Sequence, residues 1–327
     1  MHLSDCVCVT MKIIQITPAG RKSKSGNRTT ADRWTRLLRN LGHRVETFTE
    51  YDGRPADMMV AIHAWRSADA IAAFKAKYPD RPLVLCLGGT DINQYIHTHP
   101  VTTLRSMEQA DAMVCLHDLI KDITPKQLRR KLKVIYQSAK PLPRSRSPSG
   151  RHFDICLVGH MREVKDPMRT ALAVRGLPEY SRIQVRHFGM AHNEKAAKTA
   201  NAEMKRNARY HRLGEVPGWK IRQEFLRTQA MVITSTAEGG ANVVSEAIVG
   251  GVPVIASDID GNIGLLGRRY GGYYKVGDEG DLQTVLLRAE NDPKFLSNLT
   301  RQVEALAPKF VPEREQESWR ELIEKLT

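Results

Sequence analysis

The sequence has little aromatic content and no long apolar run. Phe, Trp and Tyr account for 6% of its 327 residues, and no stretch approaches the ~18 apolar residues of a membrane span. Residues 1–10 lack the basic region and apolar segment of a secretory signal. Cysteine is sparse. Of five, Cys6 and Cys8 form a C-x-C with no second pair at zinc-ligand spacing. Cys86, Cys115 and Cys156 lie inside apolar strand-like runs, where a free thiol acts as a small hydrophobe. Low-complexity segments and short repeats are also missing. These absences point away from membrane proteins and disulfide-built secreted scaffolds, towards a cytoplasmic chain with no membrane partner.

Positive charge is abundant. Fifty Lys+Arg against 36 Asp+Glu give a net charge of +14. Residues 1–150 hold 24 basic and 13 acidic side chains, a net +11, and residues 151–327 hold 26 and 23, a net +3. The excess therefore belongs to the first half. Such a field favours nucleic acid, an anionic surface or a small anionic substrate. The densest basic run, Lys126–Lys133, has helical spacing but no interleaved aromatics, so it reads as a solvated helix face and not a nucleic-acid contact.

Apolar periodicity alternates between strand and helix along both halves. In the first, strands are expected at Lys12–Thr17, Arg44–Thr49, Met58–His63, Pro82–Leu87, Ala112–Leu116 and Lys133–Tyr136. Helices are expected at Thr29–Leu41 and Ser67–Lys77. Residues 140–151, with three prolines and three serines, read as a linker. The alternation then restarts with strands at Phe153–Val158, Ile183–Phe188, Met231–Thr234 and Val252–Ala256. Helices follow at Met168–Gly176, Glu194–Asn207 and Val243–Val249. The expected layout is an appended leader over 1–10, a Rossmann-like domain over 11–139 and a second over 152–311. Residues 312–327 then form a helix packing back on the first domain. This is α/β of the doubly wound kind; two such domains facing across a cleft describe the GT-B architecture of nucleotide-sugar glycosyltransferases.

Open α/β sheets bind ligands beyond the carboxyl ends of their strands. In the second domain, Glu238-Gly239-Gly240-Ala241-Asn242-Val243-Val244-Ser245-Glu246 follows a strand and opens a helix. The glycines admit close backbone approach, and the free amides of the helix start attract phosphate. Glu246, inside the helix, suits two vicinal ribose hydroxyls, and Glu238 suits the sugar. Gly159-His160-Met161-Arg162-Glu163-Val164-Lys165 follows that domain's first strand. Lys165 and Arg162 there would stabilise charge developing on a departing diphosphate.

In the first domain, Gly26-Asn27-Arg28-Thr29 closes a basic loop and opens a helix, an outline anion site. His63 and Arg66 follow the third strand; Thr90 and Asp91 follow the fourth. Two motifs are discounted as metal sites. Asp258-Ile259-Asp260 reads as a strand-end loop, and His97-Thr98-His99 has no partner spacing.

The E-x7-E of Glu238 and Glu246 and the G-x6-K of Gly159 and Lys165 resemble the GT4-like glycosyltransferases. In that group the later glutamate binds the ribose. Many members carry Arg where this chain has His160, and Leu213-Gly214-Glu215-Val216 looks like the base-binding segment. Taken with GNR–T–ADRW, AIHAWRSA, GGTDI and EGGANVVSEAI, the order of motifs from Met11 to Asp292 is similar to the selenosugar synthase family of selenoneine biosynthesis.

That resemblance implies a UDP-sugar donor (UDP-N-acetylglucosamine or UDP-glucose), selenophosphate as nucleophile, no metal or other cofactor, and other selenoneine-pathway enzymes as functional partners. Asn27, Arg28 and Thr29, beside Gly26 and with Arg66 and Thr90, would hold selenophosphate. The donor would lie on Gly159, His160, Arg162, Lys165, Glu215, Val216 and Glu238–Val243, with Glu246 on the ribose. Either Asp91 or His63 would steer the sugar or assist P–Se cleavage. A hydroxyl-acceptor GT4-like enzyme is the alternative, and a nucleic-acid-binding protein a distant one.

Overall fold

The computed structural model describes residues 10–327 except Lys24 and Ser149. Cys6, Cys8 and nearly all of the leader read over 1–10 lie outside the described residues. The chain forms two compact units, one of residues up to Gln137 together with Pro312–Thr327, the other Ser138–Val311.

The first unit runs β1 (Lys12–Ile16), α1 (Gly26–Asn40), β2 (Arg44–Phe48), β3 (Met58–Ile62), α2 (Ala68–Lys77), β4 (Leu83–Cys86), α3 (Ile96–Thr98), α4 (Pro100–Gln109), β5 (Ala112–Cys115), α5 (Ile120–Ile123) and β6 (Leu132–Val134). Its six strands pair in parallel in the order β2-β1-β3-β4-β5-β6. Successive side chains leave opposite faces of a strand, so Ile13, Val60 and Val84 join one apolar cluster and Ile14, Met59 and Leu85 the other. A sheet buried on both faces needs near-continuous apolar strands, and β3 is buried along its whole length.

The second unit repeats the plan. It runs β7 (Phe153–Val158), α6 (Met168–Arg175), β8 (Ile183–Phe188), α7 (Glu194–Arg206), β9 (Tyr210–Gly214), α8 (Gly218–Phe225), β10 (Ala230–Ile233), α9 (Asn242–Val249), β11 (Val254–Ser257), α10 (Asp260–Leu266), β12 (Tyr273–Tyr274), α11 (Glu279–Asn291) and α12 (Pro293–Leu306). The parallel order is β12-β11-β10-β7-β8-β9. In both sheets the order reverses once, between β1 and β3 and between β7 and β10. Strand ends at such switch points flank a crevice.

The last helix, α13 (Pro312–Glu324), belongs to the first unit. Trp319 meets Trp34 of α1 edge to face at 4.8 Å. Buried Glu315 accepts the Trp34 indole N–H at 2.7 Å and pairs with Arg33 at 3.0 Å.

Three features differ from the sequence reading. Helix α1 starts at Gly26, three residues early, because extended Ser25 caps it by accepting the Arg28 amide. Residues 140–151 are no free linker. The Arg146 guanidinium donates to the carbonyls of Phe225, Thr228, Gln229 and Gly251, strapping the segment to the second unit. Burial there pushes its pKa down to about 10.

The basic run keeps Lys126, Arg130 and Lys133 exposed, as a solvated face would, but two of its cations are engaged on the main chain. Lys126–Lys131 form a 3₁₀ turn leading into β6. Lys131 donates to the Glu108 and Ala110 carbonyls, and Arg129 to those of Thr124 and Asp122. Those two cations are spent on capping main-chain oxygens.

Candidate functional site

In the second unit the two switch-point strands deliver the two most chemically loaded side chains to each other. Lys165, in the turn after β7, places its ammonium against Glu238 Oε1 from the loop after β10. The Ser235 hydroxyl donates to the same oxygen at 2.6 Å. The loops are tied together, as Thr234 Oγ1 donates to the Lys165 carbonyl and the Thr236 amide to that of Val164. Lys165 remains 24% exposed and Glu238 11%. A partly exposed ion pair can open towards a ligand without leaving a bare buried charge.

Backbone shape supports this pair. Gly240 has φ 125°, which a side chain would resist. Gly261, in the first turn of α10, has no room for a Cβ, which would lie 2.5 Å from the Glu238 carbonyl oxygen. Ala241 caps α9, and Asn242 and Val243 form its first turn, with Glu246 one turn on. The amides of that first turn are an anion-directed feature beside the ion pair.

Gly159 follows β7 under tight constraint. Its carbonyl accepts from His187 Nε2 at 2.8 Å, while the Tyr210 hydroxyl donates to His187 Nδ1 at 2.6 Å. Burial pushes the pKa of His187 down to about 4, so it works as a neutral imidazole. Gly189 passes so near that a Cβ on it would overlap the Gly159 carbonyl.

His160 accepts the Met190 amide on Nδ1 at 3.1 Å. Its own proton therefore sits on Nε2, 3.9 Å from Glu215. Burial, with Arg162 adding to it, pushes its pKa down. The residue in the place of an arginine is therefore a neutral donor. Arg162 is exposed, and Leu213–Gly214 end β9 with Glu215 and Val216 just beyond.

The first unit is organised differently. Asp91 is fully buried and accepts four donors: the amides of Ala64 (2.8 Å), Gly88 (2.8 Å) and Trp65 (3.1 Å), and His63 Nδ1 at 2.7 Å. A carboxylate has no proton to share, so Nδ1 carries the hydrogen. The Arg66 amide, 3.2 Å from the same nitrogen, then has no lone pair to meet. His63 Nε2 faces the Thr90 hydroxyl at 2.8 Å. His63 sits at φ 80°, a left-handed conformation costing about 1 kcal/mol, which the grip of Asp91 on the next two amides enforces.

His63 is 2% exposed and Asp91 0%, and Thr90 is the half-buried member of the group. Asp91, expected to touch substrate or assist cleavage, has its oxygens fully engaged. Around them Trp65 stacks on Tyr95 at 4.3 Å, and His99 lies 4.9 Å from Trp65. His99 is thus part of an aromatic cluster.

Asn27, Arg28 and Thr29 occupy the first turn of α1, at the β1 end of the switch point. Arg28 donates to Asp32 through Nη2 at 2.6 Å and Nε at 3.1 Å. Arg66 is exposed. Thus Lys165 and Glu238 are brought together, as are His63, Thr90 and Asp91, while Arg28 is engaged on its own helix. Sequence reasoning missed Ser235, Gly261, His187 and Tyr95. Among the described residues no group of three or more His, Cys, Asp or Glu is placed to hold a metal ion. Nor is any helix of the described residues long and apolar enough to cross a membrane.

Known proteins place this arrangement in context. No curated protein matches the chain significantly. Among solved structures the fold is similar to that of Anabaena HepE, crystallised with UDP and glucose, at 17% identity and TM-score 0.77. That match covers 96% of this chain and all of that one. It is also similar to sucrose-phosphate synthase from Thermosynechococcus elongatus, at 15% identity and TM-score 0.78, covering 96% and 98% of the two chains. A glycosyltransferase from Rickettsia africae matches at 11% identity and TM-score 0.74, over 97% and 98%. These likenesses show the two-domain GT-B fold. The family model for glycosyl transferases group 1 matches residues 142–305, half of the chain. That match contains the Lys165–Glu238 pair and the α9 start, and the protein belongs to the glycosyl transferases group 1 family.

Proposed function

We propose that this glycosyltransferase takes its sugar from a UDP-sugar, UDP-N-acetylglucosamine or UDP-glucose, and forms a carbon–selenium bond to selenophosphate. The observation that carries the donor half is the Lys165 ammonium held on Glu238 at the start of α9. Lys165 and the α9 amides would take the diphosphate, with Glu238 turning to the sugar and Glu246 to the ribose. The UDP bound in the HepE structure supports a uridine nucleotide. On the acceptor side, support comes from the order of motifs, which resembles that of selenosugar synthases. Net charge does not single out the first unit, because Lys140, Arg144 and Arg146 belong to the second and the acidic α13 to the first.

The chemistry balances without a strong base. A selenium lone pair attacks C1, the C1–O bond to UDP breaks, and Lys165 meets the charge on the leaving diphosphate. Water then attacks phosphorus, the P–Se bond breaks, and phosphate leaves with the 1-selenosugar as the other product. Selenium is already nucleophilic, so positioning supplies most of the rate. No metal is required in this scheme, and turnover should survive a chelator.

Mass spectrometry of the products from purified protein, selenophosphate and each UDP-sugar tests the reading. The expected result is a selenosugar with equimolar UDP. UDP release only with hydroxyl acceptors would replace it with an ordinary O-glycosyl transfer.

A further inference from the structure

The buried group behind Thr90 has a property that its separate residues do not reveal. Neutral His63, with its proton on Nδ1 towards Asp91, presents a lone pair on Nε2. The Thr90 hydroxyl at 2.8 Å must then donate to His63, which leaves only its oxygen lone pairs for any other partner. Turning that hydroxyl away would strand a buried acceptor. A protonated His63 reverses the polarity. Nε2–H donates to the Thr90 oxygen, and the hydroxyl hydrogen is released for another partner. Thr90 therefore faces a ligand as acceptor or as donor according to one proton two atoms deeper.

We propose that His63 and Asp91 are positioning residues that make anion binding at Thr90 proton-linked, His63 taking up one proton as a tetrahedral anion arrives. This rests on the reading of the first unit as the site of an anionic acceptor. Asp91 is suited to the task, because three backbone amides fix its carboxylate against His63 Nδ1, where it can pair with an imidazolium. The titratable and charged groups facing His63 among the described residues otherwise add little. Tyr95 lies 5.5 Å away by ring centroid, with His99 behind it. Cys86 on β4 has a thiol pushed up by burial and so stays neutral, and the Arg66 side chain is exposed. Rigidity comes from the Trp65–Tyr95 stack and from the His63 amide bonded to the Cys86 carbonyl at 2.9 Å.

Sulfate is the probe, a tetrahedral dianion that does not titrate near neutrality. Calorimetry on the full chain from about pH 5.5 to 8.5, in buffers of different ionisation heat, reads affinity and proton uptake together. Across that range affinity should fall as pH rises, by up to about tenfold per pH unit, with one proton taken up on binding. Thr90→Val should weaken sulfate about tenfold and remove the linked proton, while Thr90→Ser keeps both. His63→Gln, whose amide is a permanent donor, should bind sulfate with that pH slope gone. Asp91→Asn should move the slope to lower pH. Sulfate binding that needs Arg28 and Thr90 but takes up no proton at any pH overturns this proposal and leaves the acceptor reading standing. Sulfate heat absent from the wild type, or unchanged in both Arg28→Ala and Thr90→Val, overturns both.

Discussion

The two units build comparable switch points by opposite means. In the second, the polar side chains that matter are partly exposed and hold each other, Lys165 on Glu238, across loops 73 residues apart. In the first, His63 and Asp91 are interior, and Thr90 is the partly exposed member of the group. A partly exposed ion pair is a resting arrangement that a charged ligand can exchange into at small cost. A buried carboxylate with four donors cannot exchange anything. It can only set the properties of its neighbours. One site thus works by substitution of partners and the other by fixed orientation.

That contrast can be broken, starting with the largest effect. Lys165→Ala removes the charge that meets the leaving group, and kcat should fall about 10²–10³-fold with the melting temperature nearly unchanged. A loss of stability matching the loss of rate would make Lys165 a structural residue instead. Gly261→Ala tests the same site without removing a polar group. Its methyl would lie 2.5 Å from the Glu238 carbonyl oxygen, and the displacement should lower kcat on the order of 10²-fold. Unimpaired turnover in that variant would show that the Glu238 loop has slack.

On the first unit, Arg28→Ala should raise the acceptor KM about tenfold while donor affinity, read by UDP calorimetry, stays put. Equal loss on both sides would erase the division of labour. The mildest effect at neutral pH is expected from His187→Gln. His187 is neutral when folded, with its pKa pushed from 6.5 to about 4. The unfolded chain therefore binds more protons between those values, and wild-type stability falls as pH drops through that window, by about 1.4 kcal/mol per unit. Thermal melts of the variant should lose that part of the slope. An unchanged slope would assign the acid sensitivity elsewhere.

Legibility in the sequence followed the same divide. The strands of both sheets were readable because a twice-covered parallel strand must be apolar throughout. The positions of Gly159 and Lys165 after β7, and of Glu238 and Glu246 after β10, were readable because short spacings fix each pair relative to its own strand end. What partners they find is set by strand order. Ser235 became a ligand of Glu238 only through the curl of its own loop. Gly261 matters for an atom 23 residues away.

His63 and Asp91 could be named but not assigned, since parallel pairing of β3 with β4 is what brings them together. The left-handed backbone at His63 left no trace because glycine, its usual signal, is absent there. The basic run misled for a related reason: Lys131 and Arg129 read as surface charge until the carbonyls they cap come into view.

The return of α13 to the first unit bears on how the chain is made. Glu315 and Trp319 complete the packing around Arg33 and Trp34, yet the whole second unit is synthesised in between. At ribosomal speed, Ser138–Val311 takes on the order of ten to thirty seconds to emerge. For that interval Trp34 and Arg33 lack the Glu315 carboxylate and the Trp319 ring that they meet in the folded chain. The second unit is contiguous in sequence and can close first, so the earlier-translated half is the later to mature, and fusions that delay or obstruct residues 312–324 should burden chaperones more than equal additions elsewhere.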